Sequence, residues 1–320
     1  MPPATIIDTT DIATFCQKLK FPAKKARNNK MKASQQTPTI TVPASLEPTE
    51  FIATIMPKSL ISFLYRACHS HARMNDEEKR MRVEAVFFDL FNTLLLLESD
   101  EGFYPPSLRR LHEFLVKNGV NVPFEGFRRV YFEVREKLYS ETQKTLEEPH
   151  FNVRVSQTLQ RFGYKFDVSD PVVVGATEAF ADEFVHHVSL DTDARQVLQK
   201  LHGKYKLGLI SNFGIPECGW ELLEKFGLKG FFDVVVISGE VNKRKPSPEI
   251  FGNALKALDV EASRAVFVGD MLDLDVMGPK SVGMKTVFIK RRPGIGNADI
   301  IPDRVITRLR ELLDVLDGFQ

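Results

Sequence analysis

Four apolar runs in this chain each end on a group that could handle a charged substrate. Val83-Glu84-Ala85-Val86-Phe87-Phe88 stops on Asp89, and the turn Leu90-Phe91-Asn92-Thr93-Leu94 follows at once. Leu207-Gly208-Leu209-Ile210 stops on Ser211-Asn212. Val234 to Ile237 runs into Ser238-Gly239-Glu240, with Lys245 a few residues on, and Ala265 to Val268 stops on Gly269-Asp270, with Asp273 and Asp275 beyond. One Asp after an apolar run is ordinarily a turn or helix-cap residue. Three further polar strand ends outweigh that reading. A carboxylate is costly to desolvate, so it pairs, binds a metal or does chemistry. Several carboxylates together repel one another unless a cation intervenes, and hard oxygen ligands suit magnesium. A hydroxyl, a backbone N–H and an ammonium beside them suit a tetrahedral anion such as phosphate.

These groups converge only if their strands run parallel and end on one edge. The pattern after Asp89 predicts that arrangement. Strand-length apolar runs at 207–210, 234–237, 265–268 and 285–289 alternate with helical patterns over 192–201, 217–226, 248–258, 275–282 and 305–316. Strands that alternate with helices imply a parallel sheet covered on both faces, and ligands bind at the carboxyl ends of such strands. Between the first strand and this alternation lies a stretch with no strand signal. Helices are expected over 106–117, 124–145, 151–162 and 176–188, with Phe127, Val130, Tyr131, Val134 and Leu138 forming one stripe. The block is too long for an ordinary crossover. The expected architecture is α/β: a Rossmann-like parallel-sheet core over 81–100 and 191–320, with an inserted all-helical cap over 101–190.

Residues 1–80 differ in kind. They carry 12 Lys/Arg against 7 Asp/Glu, whereas the remainder carries 31 against 35. The Thr/Pro-rich stretch 35–49 has little core-forming power, and the segment is expected to be a mobile extension, with Met81 a candidate natural start. A net −4 on the main body argues against nucleic-acid binding there. Cys16, Cys68 and Cys218 are far apart, without disulfide or zinc spacing, which fits a reducing, cytoplasmic compartment. No apolar run reaches membrane-spanning length. His186-His187 is read as a surface pair, Gly294-Ile295-Gly296 as a loop and Cys218 as packing.

The segments Asp89-Leu90-Phe91-Asn92-Thr93-Leu94, Ile210-Ser211-Asn212, Lys245-Pro246-Ser247-Pro248-Glu249 and Gly269-Asp270-Met271-Leu272-Asp273-Leu274-Asp275, in that order, resemble the haloacid dehalogenase superfamily. The resemblance covers roughly residues 83–290 and implies a hydrolase. By it, Asp89 is the nucleophile, forming an aspartyl intermediate. Ser211 and the Asn212 backbone hold the transferring group, and Lys245 neutralises charge. Asp89, the Phe91 carbonyl, Asp270 and Asp275 hold Mg2+, with Asp275 acting through water or by orienting Lys245. Thr93 supports the turn on the substrate side. The implied substrate is a small anionic molecule. Two signals conflict. Phosphatases of the superfamily usually place a second Asp, an acid and base, two residues after the nucleophile, where this chain has Phe91. An aromatic there resembles the dehalogenase branch, whose cap arginine would be one of Arg109, Arg110, Arg128 or Arg154. The acidic 269–275 segment resembles the magnesium-dependent phosphoryl branch. Hydrolysis of a small phosphorylated substrate is the favoured reading, with carbon–halogen cleavage and a weakly active or non-catalytic binding protein as alternatives.

Overall fold

The computed structural model describes residues 82–291 and 299–319. Expectations for residues 1–80, Met81 and the 294–296 loop lie outside them.

Strand β1 (Ala85–Phe88) is buried along its whole length and lies between two parallel neighbours, β4 (Lys206–Ser211) and β6 (Ala265–Gly269). With β5 (Val234–Ile237), β7 (Lys285–Ile289) and β8 (Arg304–Ile306), they form a six-stranded sheet in the order β5-β4-β1-β6-β7-β8. The period of two along a strand divides β1 between two cores. Val86 and Phe88 join the larger apolar cluster, and Ala85 and Phe87 join the one against helix 248–258. The Phe87 ring lies over Gly208 so closely that a Cβ there would fall 2.3 Å from it. Glycine is therefore required in the neighbouring strand. The order of strands reverses around β1, so its carboxyl end is the switch point where open α/β sheets bind ligands.

A short antiparallel ribbon, absent from the sequence-based expectation, joins the sheet to the helical block. β2 (Leu95–Leu97) carries the chain out and β3 (Val188–Leu190) brings it back, with Leu95 opposite Leu190 and Leu97 opposite Val188. Three-residue strands give too short an alternation to read from sequence. His187 closes the end of the ribbon: its Nδ1 lies 2.8 Å from Glu98 and its Nε2 3.4 Å from Glu183. This corrects the surface-pair reading for His187, while His186 is exposed.

Between β2 and β3 stand α1 (Asp100–Lys117), α2 (Phe124–Thr145), α3 (Phe151–Arg161) and α4 (Pro171–Phe184). Two starts differ from expectation. α1 begins ahead of Pro105 and Pro106 and contains both, with Gly102 and Phe103 donating to the Ser99 carbonyl. α4 begins at Pro171, capped by Asp170, whose side chain accepts from the Val172 N–H. That start followed an available signal, Asp then Pro. Leu108, Leu111, Leu115, Phe127, Tyr131 and Val173 are buried among these helices. Gly175 sits where a Cβ would meet the Phe114 ring at 2.2 Å, fixing a close α1–α4 approach.

The sheet is flanked by α5 (Ala194–Leu201), α6 (Pro216–Lys225) and α7 (Pro248–Leu258). The expected helix over 305–316 is instead the edge strand β8, a 3-10 turn at Leu309–Glu311 and one helical turn at Leu312–Leu316. Val305, half exposed, reflects an edge-strand alternation that a helical stripe can imitate over so few residues. The expected helix over 275–282 is a π-helical turn, Leu272–Met277, running into Gly278–Ser281. Asp275 therefore lies inside its helix and not at the start. Among the described residues, no helix is long and apolar enough to cross a membrane.

Candidate active site

The register brings the strand-end residues together. Asp89 follows β1, and its N–H donates to the Val268 carbonyl of β6 at 2.9 Å. Ser211 is the last residue of β4, next to β1, and Asp270 follows β6 on the other side.

Lys245 is the electrostatic centre. Its side chain is buried, and Nζ donates to Asp89 Oδ1 at 2.5 Å and to Asp275 Oδ1 at 2.7 Å. Asn212 holds the Lys245 backbone from both sides: its Nδ2 donates to the Lys245 carbonyl at 2.9 Å, and its Oδ1 accepts from the Lys245 N–H at 2.8 Å. The Asn212 side chain is thus a clamp on the lysine loop, a contact the sequence did not reveal. Asp275 Oδ2 accepts from the Met271 N–H at 3.0 Å, so both carboxylate oxygens are engaged. A Cβ on Gly269 would fall 2.4 Å from the Asp275 carboxyl carbon. Only glycine admits that carboxylate beneath β6. Gly269→Ala is expected to displace Asp275, and Lys245 with it, lowering turnover by about 10²-fold, the cost of roughly 1 Å of misplacement. Steady-state kinetics on folded protein checks this; unchanged kcat would show that the packing does not position the lysine.

Oxygens of Asp89, Asp270 and Asp275 lie within 4.8 Å of one another. Asp273 is exposed, as expected of a helix-start residue. Burial pushes the Asp89 carboxyl up to about 7; Lys245 opposes the rise, and Asp275 and Asp270 add to it. Burial alone would lower the Lys245 ammonium, but Asp275 and Asp89 hold it above its ordinary value. The Ser211 Oγ is buried and makes no hydrogen bond, as is the Thr93 Oγ1. An unpaired buried hydroxyl is uncommon, and at a ligand site it is explained by a missing partner.

The turn after Asp89 is held from outside. Asn92 has φ +56°, a left-handed conformation that Asn tolerates well. Arg291 donates to the Asn92 carbonyl at 3.0 Å, the Thr93 carbonyl at 3.1 Å and Asp191 Oδ2 at 2.7 Å. It ties the turn to the return from β3, and nothing in the sequence around Arg291 signalled this role. The Phe91 ring packs edge-on against Phe213 and Phe184, with centroids 5.0 and 5.8 Å away.

Above Phe91 lies a cleft of about 300 Å³ between the sheet edge and the helical block. Phe91, Asn212 and Gly214 line it from the sheet side, and Tyr104, Arg154 and Phe180 from the helices. Arg244 pairs with Glu148 there at 3.3 Å, and Lys243 lies 3.8 Å from Glu147. Of the four candidate arginines, Arg154 alone lines the cleft. Arg110 and Arg128 pair with Glu113 and Glu125 on their own helices, and Arg109 stacks on Phe124. Cys218 is buried in the core, and burial pushes its thiol up to about 12, in keeping with packing.

Comparison with known proteins agrees with this geometry. A family model for haloacid dehalogenase-like hydrolases matches residues 83–283. A glyceraldehyde 3-phosphate phosphatase from Methanopyrus kandleri is 34% identical over 247 residues, covering 73% of this chain and 97% of its own. A HAD phosphatase from Thermococcus onnurineus superposes with a TM-score of 0.52 at 28% identity, covering 74% of this chain and 99% of its own. A 2-haloacid dehalogenase from Pseudomonas syringae superposes with a TM-score of 0.58 at 25% identity, covering 74% and 100%.

Proposed function

This chain belongs to the haloacid dehalogenase-like hydrolases, and we propose that it is a magnesium-dependent phosphatase acting on a small phosphorylated substrate. The observation that carries the proposal is the three-carboxylate cluster around Asp89 beside the buried, unpartnered Ser211 hydroxyl. Relatives named as phosphatases of glyceraldehyde 3-phosphate support the same chemistry.

The donor set fits Mg2+. Asp89 and Asp270 offer carboxylate oxygens, and the Phe91 carbonyl accepts no hydrogen bond among the described residues. Both oxygens of Asp275 are already engaged, which favours its role as the orienter of Lys245 over that of a direct ligand. When bound, magnesium neutralises charge between the nucleophile and the phosphoryl oxygens.

In the proposed reaction an Asp89 oxygen attacks phosphorus. The bond from phosphorus to the ester oxygen breaks, and the leaving oxygen takes its electron pair. Ser211 and the Asn212 N–H hold the phosphoryl oxygens, and Lys245 balances their charge. Water then cleaves the aspartyl phosphate, releasing phosphate and restoring the carboxylate. The helical block 100–184 serves as a cap that covers the site and excludes water.

Phe91 can neither give nor take a proton. The leaving oxygen is therefore protonated by solvent, and turnover depends on how well that group leaves. General acid catalysis is worth about 10²–10⁴-fold. We expect kcat/KM for p-nitrophenyl phosphate to exceed that for a simple alkyl phosphate by about 10²-fold or more, measured as phosphate release with Mg2+ present. Equal rates would show that another group supplies the proton.

The Phe91 ring also favours a second reading, carbon–halogen cleavage, which needs no leaving-group acid. Chloride release from 2-chloropropionate, with no magnesium-dependent phosphate release, would establish it over the phosphatase.

A further inference from the structure

The non-reacting end of the substrate meets an unusual environment. Arg154 extends from α3 into the cleft and stacks on the Phe151 ring, with its guanidinium carbon 4.9 Å from the centroid. Its Nη1 donates to the Tyr104 hydroxyl at 3.0 Å and the Tyr131 hydroxyl at 3.3 Å, and these two hydroxyls lie 2.9 Å apart. Burial holds the Tyr131 phenol well above its ordinary pKa, with Tyr104 adding to the rise, so that partner is neutral. The Arg154 Nε is buried without a hydrogen bond, and among the described residues no carboxylate lies within ion-pair distance of its guanidinium. The nearby Glu148 attracts Arg154 only from beyond that distance, and its Oε2 is engaged by Arg244 at 3.3 Å and by the Ser238 hydroxyl at 3.4 Å.

A guanidinium has five donors and no way to shed its charge. Burying it beside neutral hydroxyls, with one donor orphaned, is costly unless an anion arrives. Arg154 and Arg244 line the cleft with one carboxylate, Glu148, while Arg135 is paired with Glu136 at 3.6 Å. Rigid aromatic packing holds the arginine in place, since Tyr104 packs on Phe180 and Phe132, and Phe151 on Phe180. On the other side the cleft is lined by Phe91 and Asn212, which adjoin Asp89 and Ser211 along the chain.

We infer that Arg154, with Tyr104 and Tyr131, forms a subsite for a second anionic group, carboxylate or phosphate, on the small phosphate ester that the chain hydrolyses. The inference rests on the phosphatase reading and narrows it. At about 300 Å³ the cleft stands at the small end of ligand sites, so the second anion belongs to a compact substrate.

Binding is measured by calorimetry with Mg2+ on Asp89→Asn, which holds ligands without consuming them. The probes are 2-phosphoglycolate, 1,3-propanediol bisphosphate and ethyl phosphate, which lacks a second anion. A charge-assisted contact predicts that at least one of the first two binds about tenfold or more tighter than ethyl phosphate. Whichever does so identifies carboxylate or phosphate as the recognised group. Adding Arg154→Met should abolish the difference. Tyr104→Phe, which keeps the packed ring, should reduce the difference in part, so the test survives if the methionine variant fails to fold. Equal binding of all three probes, or a preference that survives both substitutions, overturns the inference. Hydrolysis of p-nitrophenyl phosphate by the unaltered chain is read in parallel. Turnover without anion preference refutes the subsite alone, and preference without turnover refutes the phosphatase reading alone.

Discussion

Asp89→Asn is expected to abolish turnover of p-nitrophenyl phosphate, by about 10⁴-fold or more, the scale seen when a nucleophile is removed. The amide has nearly the same shape and leaves the register of β1 intact, but it is too weak a nucleophile to attack phosphorus. The same substitution should raise the stability of the metal-free chain. Asp89 is pushed from its ordinary value of 3.8 to about 7 by burial, with Lys245 opposing and Asp275 and Asp270 adding. The native state therefore binds this proton more tightly than the unfolded chain. The group's contribution to stability is full below about pH 4 and is lost as pH rises through about 7. The uncharged amide escapes that loss. Metal-free Asp89→Asn should melt a few degrees above the unaltered chain at about pH 8 and converge with it near pH 4. A lower melting point at both pH values would show that the ionised pair with Lys245 is net stabilising.

Lys245→Met should be more damaging to the fold. Lysine is the hydrogen-bonded counter-cation of two buried carboxylates, at 2.5 and 2.7 Å. Replacing both members of a buried pair by apolar groups is often tolerated, but removing one member leaves an uncompensated charge, at a cost of about 3–5 kcal/mol. Here two carboxylates lose their partner together. Methionine matches the lysine stem, so packing against Phe267 is not the cause of the loss. Lys245 is held above its ordinary pKa by Asp275 and Asp89, against burial. Its contribution is therefore present throughout the neutral range and lost only at strongly alkaline pH. The deficit of the variant should be largest near pH 8, where Asp89 is ionised, and should shrink toward about pH 5. Urea denaturation at the two pH values measures it. A pH-independent deficit would point to packing and not to charge.

The core of the fold could be read because its signals were long. Ala85 to Phe88 is continuously apolar and is followed by the charge of Asp89, which specifies a central parallel strand. The helix over 124–145 carries a stripe of about three turns, from Phe127 to Leu138, and its bounds are those observed. The ribbon of β2 and β3 could not be read, since three residues cannot display a period. The edge strand β8 falls within an expected helix for the same reason, whereas the helix expected over 275–282 is present but opens earlier, as the π-turn at Leu272–Met277. At the site, Asp89, Ser211, Lys245, Asp270 and Asp275 were visible as residue types at strand ends. Their second partners were not. The Asn212 clamp, the Met271 N–H and Arg291 on the Asn92 and Thr93 carbonyls join segments distant in the chain or depend on backbone groups. Gly269 lay within a recognised segment, yet its steric role appears only once the Asp275 carboxyl is placed against it.

The nucleophilic role of Asp89 is tested most directly by acid-quenched mass spectrometry of the chain during turnover of p-nitrophenyl phosphate, with magnesium and after its removal by chelation. A phosphoryl group is expected on the peptide carrying Asp89, formed only with magnesium and absent from Asp89→Asn. A phosphoryl group on any other residue, or phosphate release undiminished in Asp89→Asn, would contradict that role.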